Sequence, residues 1–123
     1  CNLPVKIYAD LDALANWTST VTGFTTVKSV ALKVNDSKVQ PGDVIEVVLE
    51  QNAAGVFGET EFNALMTVKA AKVTPTGFTV ETDPAVKAEL TKKGTAGDKA
   101  EITITFTVKT LSAGTVKGAF EVS

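Results

Sequence analysis

The chain has 123 residues and a formal net charge of −2, with 44% hydrophobic and 21% charged residues, which is typical of one globular domain. All twelve basic residues are lysine and there is no histidine, so the chain lacks the usual side chain for proton transfer near neutral pH and the arginine clamp for phosphate. We therefore predict a single domain over residues 1–123 that is not an enzyme, holds no cofactor or metal and binds no nucleic acid.

The chain begins with its only cysteine, Cys1, so the fold does not depend on an internal disulfide. Two origins for this first residue stay open. Removal of an initiator methionine would leave Cys1 unmodified, whereas cleavage of a lipoprotein signal peptide would leave a cysteine that carries lipid. A lipid anchor or a disulfide between two chains at Cys1 is kept as an alternative.

Residues 1–20 are predicted as an N-terminal arm of the domain. Within it, Val5-Lys6-Ile7-Tyr8 has the composition of a β-strand. The next stretch, from Ala9 to Trp17, is ambiguous, because Leu11 and Leu14 have the spacing of a helix.

Three side chains of this arm, Asp10, Asp12 and Asn16, carry oxygen atoms of the type that binds calcium. They lack the spaced acidic loop with a glycine that a dedicated calcium site uses. We expect a polar loop with a capping aspartate here and not a metal site.

Alternation of apolar and polar residues predicts most of the strands. In Glu101–Lys109 every even position is apolar and every odd position is polar, and Asp43–Glu50 repeats the pattern. Strands of this kind bury one face and expose the other to water. Further strands are predicted at Thr25–Val34, Glu61–Val73, Phe78–Glu81 and Val116–Val122.

One short helix is predicted near residues 84–91. Asp83 suits a helix N-cap, Pro84 suits the first helical position, and Gly94 lies beyond the predicted end. Turn residues separate the other elements, at about ten-residue spacing, which is typical of a β-sandwich.

From Val30 onward the layout resembles bacterial and phage immunoglobulin-like sandwich modules. The resemblance lies in the Pro41-Gly42-Asp43 turn before an alternating strand, the Gly55-Val56-Phe57-Gly58 loop and the last two strands around Ala113-Gly114. These features are locally similar to cohesin-type modules, but the Tyr-Asp-Pro-x-x-Leu stretch of cohesins is missing, so dockerin binding is not implied. The resemblance implies an all-β, Ig-like antiparallel sandwich of about seven to nine strands.

Four carboxylates, at Glu46, Glu50, Glu59 and Glu61, raise the alternative of a paired-acid active site. Glu46 and Glu50 fall on the polar side of an alternating strand, so we expect them in solvent, where their charge opposes edge pairing. Serine and threonine are abundant, but no histidine is available to activate them. No residue is therefore assigned a catalytic role.

The residues assigned to partner contact are apolar. They are Leu3 and Val5 in the arm, Trp17, and Val56 and Phe57 in the glycine-flanked loop. Tryptophan is enriched where interfaces bind most strongly, and exposed loops often contact partners. A position in the core is the alternative for Trp17.

Two non-catalytic roles stay open. The first is a structural subunit of a repetitive assembly at the virion surface, most concretely a phage capsid decoration protein that binds a protein partner or its own copies. The second is a recognition or adhesion module at the bacterial cell envelope or in the extracellular space. It would act as a lipoprotein, a cohesin-like module, or a donor-strand subunit whose residues 1–8 complete a neighbouring sheet. No apolar run approaches the roughly 18 residues of a membrane-spanning helix, so neither role includes a transmembrane segment.

Overall fold

The computed structural model describes residues 8–34, 38–67 and 69–122, and within them the chain is mostly β. The predicted all-β sandwich is confirmed, with nine strands in two sheets, one α-helix and one 3₁₀ turn at Leu14–Asn16 among the described residues. The elements in chain order are β1 (Asp10–Leu11), β2 (Thr18–Ser19), β3 (Thr26–Leu32), β4 (Val44–Glu50), α1 (Glu59–Met66), β5 (Ala71–Thr76), β6 (Phe78–Val80), β7 (Lys87–Lys92), β8 (Glu101–Leu111) and β9 (Thr115–Val122).

Strand β9 lies at the centre of the first sheet. β1 and β2 run parallel to it along one side, with Asp10 opposite Thr115 and Thr18 opposite Ala119, and β5 runs antiparallel along the other side. The parallel pairs correct the expectation of a wholly antiparallel sandwich. Parallel neighbours need a long connection between them, and here the connection is nearly the whole domain.

The second sheet has the order β3, β4, β8, with β7 and β6 both on the far side of β8. Residues Ile102, Ile104, Phe106 and Val108 of β8 are buried, as are Ile45, Val47 and Leu49 of β4. This burial confirms the alternation read from the sequence. Between the sheets, the ring of Phe106 lies 6.1 Å from the ring of Phe120 in β9.

The helix lies at Glu59–Met66, so the prediction of a helix near residues 84–91 was wrong. Residues Lys87–Lys92 form β7, which pairs antiparallel with β8. Its Ala88 and Leu90 pack against the core while Lys87 and Glu89 are exposed. A strand is favoured here over the predicted helix because the segment also alternates with period two, and because the edge of β8 supplies backbone hydrogen-bond partners.

The predicted strand Glu61–Val73 was wrong in its first half, which is helical. Phe62 and Leu65 pack against the core with the i, i+3 spacing of a helix face. The Gly58 N–H donates to Glu61 Oε2 at 3.2 Å, which satisfies one free donor at the start of the helix. The strand begins only at Ala71.

Residues 9–20 belong to the sandwich and not to a separate arm. Ala9 exchanges two backbone hydrogen bonds with Val39, at 3.0 and 2.7 Å, before β1 and β2 pair with β9. The buried Ser19 hydroxyl donates to the Phe24 carbonyl at 2.7 Å. The predicted arm over residues 1–20 is therefore corrected for residues 9–20, and its residues 1–7 lie outside the described residues.

Candidate contact surface

The loop between β4 and α1 holds an apolar tip, defined as residues 53–57. The Val56 side chain is 75% exposed, and Ala53 and Ala54 beside it are exposed as well. Phe57 instead turns inward, where its ring meets the buried Phe24 ring edge-on at a centroid distance of 4.8 Å. Of the two tip residues predicted to contact a partner, the structure exposes Val56 and half-buries Phe57.

The base of the tip is fixed by hydrogen bonds to two other loops. Gln51 N donates to the Ala100 carbonyl at 2.9 Å, and Ala100 N donates to Gln51 Oε1 at 2.8 Å. Asn52 N donates to the Gly23 carbonyl at 2.9 Å, and Asn52 Oδ1 accepts from both N and Oγ1 of Thr25 at 2.9 Å. The chain therefore leaves β4 in one defined direction.

The far end of the tip is fixed by a close approach to Gly94. Phe57 and Gly94 exchange two backbone hydrogen bonds, at 3.1 and 2.8 Å. A Cβ atom on Gly94 would lie 2.3 Å from the Gly55 carbonyl oxygen and 2.6 Å from Gln51 Oε1, so only glycine fits here. Because both ends of the tip are fixed, Val56 is presented to solvent by an ordered backbone, which lowers the entropy cost of binding.

Trp17 is a core residue, which corrects its assignment to partner contact. Its side chain is 3% exposed and lies parallel to the Phe120 ring at a centroid distance of 6.1 Å. The indole Nε1–H donates to the Asp12 carbonyl at 3.2 Å. A Cβ atom on Gly118 would lie 3.2 Å from the indole ring, so the strand passes directly beneath it. The contact candidates Leu3 and Val5, and Cys1, lie outside the described residues.

Two acidic side chains on the second sheet, Glu50 and Glu101, are held in ion pairs. Lys28 Nζ lies 2.6 Å from Glu101 Oε2 and 3.8 Å from Glu50 Oε2, and Lys99 Nζ lies 3.9 Å from Glu50 Oε1. The hydrogen bond from Lys28 to Glu101 raises the pKa of the lysine. Solvent-accessible pairs of this kind contribute little stability.

The acidic side chains near β1 are engaged in hydrogen bonds or an ion pair. Asp12 Oδ1 accepts from Ala13 N at 2.8 Å and from Asn16 Nδ2 at 3.0 Å, and these bonds lower the pKa of Asp12. Asp10 forms an ion pair with Lys38. Within the described ranges, no group of three or more acidic or cysteine side chains has an arrangement that could hold a metal ion.

A second apolar surface, the β5 groove, opens between β5 and the segment 80–86. It is a groove of about 370 Å³, lined by Ala70, Ala71, Lys72, Val73, Val80, Glu81, Thr82, Ala85 and Val86. It lies on the open side of the sandwich, where an edge of the first sheet approaches β6 of the second. The sequence reasoning missed this groove, because it placed Ala71 and Val73 at the end of a long strand and Ala85 and Val86 in a helix.

No helix in the described part of the chain has the length and hydrophobicity needed to cross a membrane. The chain matches no protein-family model, no curated protein and no solved structure. The similarity to immunoglobulin-like and cohesin-type modules therefore stays a prediction from the residues quoted for it.

Proposed function

We propose that this chain is a non-enzymatic structural subunit of a repetitive surface assembly, and that its concrete form is a protein that decorates a phage capsid at the virion surface. The observation that carries the proposal is the apolar tip, where Val56 is exposed on a backbone fixed at both ends. A pre-ordered apolar contact suits repeated docking on a rigid shell, since each copy pays little ordering entropy on binding.

The side-chain inventory supports a role that depends on surface shape. The chain has no histidine and no arginine, and the carboxylates Glu50, Glu101 and Asp10 are engaged in ion pairs. Contacts of modest strength, repeated over many copies of the same lattice, sum to firm attachment of the whole layer.

The test measures, by co-sedimentation, how much of the purified chain binds to undecorated capsid shells from the same source. We expect Val56→Asp to weaken binding by about tenfold or more, because a carboxylate would be desolvated at an apolar contact. Val34→Asp is the matched control, since Val34 is also exposed, at 57%, but follows β3 at the opposite end of the sandwich from the tip.

Circular dichroism of both variants must match the parent chain, so that binding is compared between folded proteins. Equal loss of binding in the two variants would show that the tip has no special role. Absence of binding by the parent chain to shells, with binding to envelope fragments instead, would overturn the capsid proposal in favour of a cell-envelope module.

A further inference from the structure

Among the described residues, no strand pairs with the edge of β5 beside its groove, and β5 pairs with β9 alone. Asp12 N donates to the Val116 carbonyl and Thr20 N donates to the Phe120 carbonyl. The backbone N–H and C=O groups of the even-numbered residues of β9 therefore face β1 and β2. The N–H and C=O groups of its odd-numbered residues face β5, because successive residues of a strand point these groups to alternate sides.

The same alternation decides which peptide groups of β5 point outward. The odd-numbered residues of β9 are in register with Lys72, Thr74 and Thr76 of β5. The backbone N–H and C=O groups of these three residues therefore form the hydrogen bonds to β9. The backbone hydrogen-bonding groups of Ala71, Val73 and Pro75 point outward, away from β9. The side chains of these three residues are half-buried, while the side chains of the alternate residues are exposed. A strand added at this edge would therefore also direct every second side chain toward the groove.

One segment of this chain has the matching pattern. Leu3, Val5 and Ile7 are apolar and alternate with Asn2, Pro4 and Lys6. We propose that the β5 groove binds the segment 3–7 of a second copy of this chain as an added antiparallel strand. The inference deepens the proposed role in a multi-copy assembly and rests on that role for the presence of neighbouring copies.

Pro4 selects the antiparallel orientation. In an antiparallel pair, the residues opposite Ala71, Val73 and Pro75 would direct their side chains to the groove. The same residues would direct their backbone N–H and C=O groups to β5. Those residues would be Ile7, Val5 and Leu3, and Pro4 would face solvent, where a missing N–H costs nothing. A parallel strand would turn Pro4 toward β5 and lose a hydrogen bond there, while Pro75 withholds one donor in either orientation.

The geometry requires a second copy and excludes the chain's own segment. Ala71 is in register with Val122, while Asp10 is in register with Thr115 on the other side of β9. Seven residues along β9 span about 23 Å, and three strand spacings across the sheet add about 14 Å. Ile7 beside Ala71 would have to reach Ala9 of the same chain through two residues, which span about 7 Å.

The first test is sedimentation velocity of the full chain over a range of concentrations up to millimolar, with Cys1→Ser in every protein to exclude disulfides. We expect the parent to form oligomers with increasing concentration, and Val5→Asp to weaken this association by about tenfold or more. Asn2→Asp adds the same charge at an outward position, so it should associate like the parent. A parent that stays monomeric, or equal loss in both variants, would overturn the inference.

The second test locates the contact by disulfide formation between two different molecules. In the Cys1→Ser background, Ile7→Cys is mixed with Ala71→Cys, or with Ala64→Cys as a control at an exposed position of α1. We expect the mixed disulfide only with Ala71→Cys, and equal yields with both partners would overturn the proposed site. The outcome is distinct from that of the shell test, because Val56→Asp should still form the mixed disulfide, and Val5→Asp should still bind shells as a single copy.

Discussion

Gly94→Ala tests the close approach that holds the apolar tip. The new Cβ would lie 2.3 Å from the Gly55 carbonyl oxygen, 2.6 Å from Gln51 Oε1 and 3.2 Å from Ala100 Cβ. The Gln51 side chain has some freedom to move, but the Gly55 carbonyl belongs to the backbone of the tip. The tip must therefore shift, and the two Phe57–Gly94 hydrogen bonds must lengthen.

The expected cost follows from these contacts. Overpacking a well-packed site costs about 1–3 kcal/mol, and each weakened hydrogen bond adds up to about 1 kcal/mol. We expect Gly94→Ala to lower the free energy of unfolding by about 2–4 kcal/mol. A chain of this length has a total stability of roughly 6–18 kcal/mol, so the variant should still fold.

Urea unfolding followed by Trp17 fluorescence measures this difference, since Trp17 is the only tryptophan and is buried. Gly97→Ala is the matched control in the same loop, because a Cβ there meets nothing within 4 Å. It should change stability by no more than about 0.5–1 kcal/mol in either direction. If the two variants unfold within about 0.5 kcal/mol of each other, the close approach at Gly94 does not hold the tip.

Two further predictions concern other parts of the fold. Trp17→Ala should lower the free energy of unfolding by about 3–5 kcal/mol, and Trp17→Phe by less, because phenylalanine keeps the stacked ring but loses the Nε1–H bond; thermal unfolding by circular dichroism checks this, and an unchanged Trp17→Ala would remove Trp17 from the core. The lowered pKa of Asp12 means that its stabilising bonds are present above its ordinary pKa and lost as pH falls through the lowered value. Urea midpoints between about pH 5 and pH 2 should therefore fall more for the parent than for Asp12→Asn, and equal slopes would contradict this reasoning.

The sequence predicted the apolar tip only in part. The Gly55-Val56-Phe57-Gly58 loop could be recognised as an apolar tip because glycines flank it. The hydrogen bonds that fix this tip could not be predicted, since Ala100 lies 49 residues after its partner Gln51 and Gly94 is similarly distant from Phe57. The inward turn of Phe57 depends on Phe24, which comes from a third loop, so no local pattern distinguishes it from the exposed Val56.

The two secondary-structure errors have different causes. Residues 84–91 carry local helix signals, but the edge of β8 offered hydrogen bonds and a core face to an extended strand. Local propensities differ by about 1 kcal/mol, which tertiary pairing readily exceeds. In residues 59–66 the spacing of Phe62 and Leu65 itself fits the observed helix, so there the local pattern and the structure agree.

The sequence by itself determined the buried faces of β4, β8 and β9, because a strict period of two permits only one face to be apolar. It also determined the absence of histidine and arginine chemistry. Only the tertiary structure decided that Trp17 is covered and that β1 and β2 run parallel to β9. It also decided that β5, within the described part of the chain, pairs on one edge and borders an open groove on the other. Each of these depends on which distant strand lies alongside, and the spacing of residues within one segment carries no information about that choice.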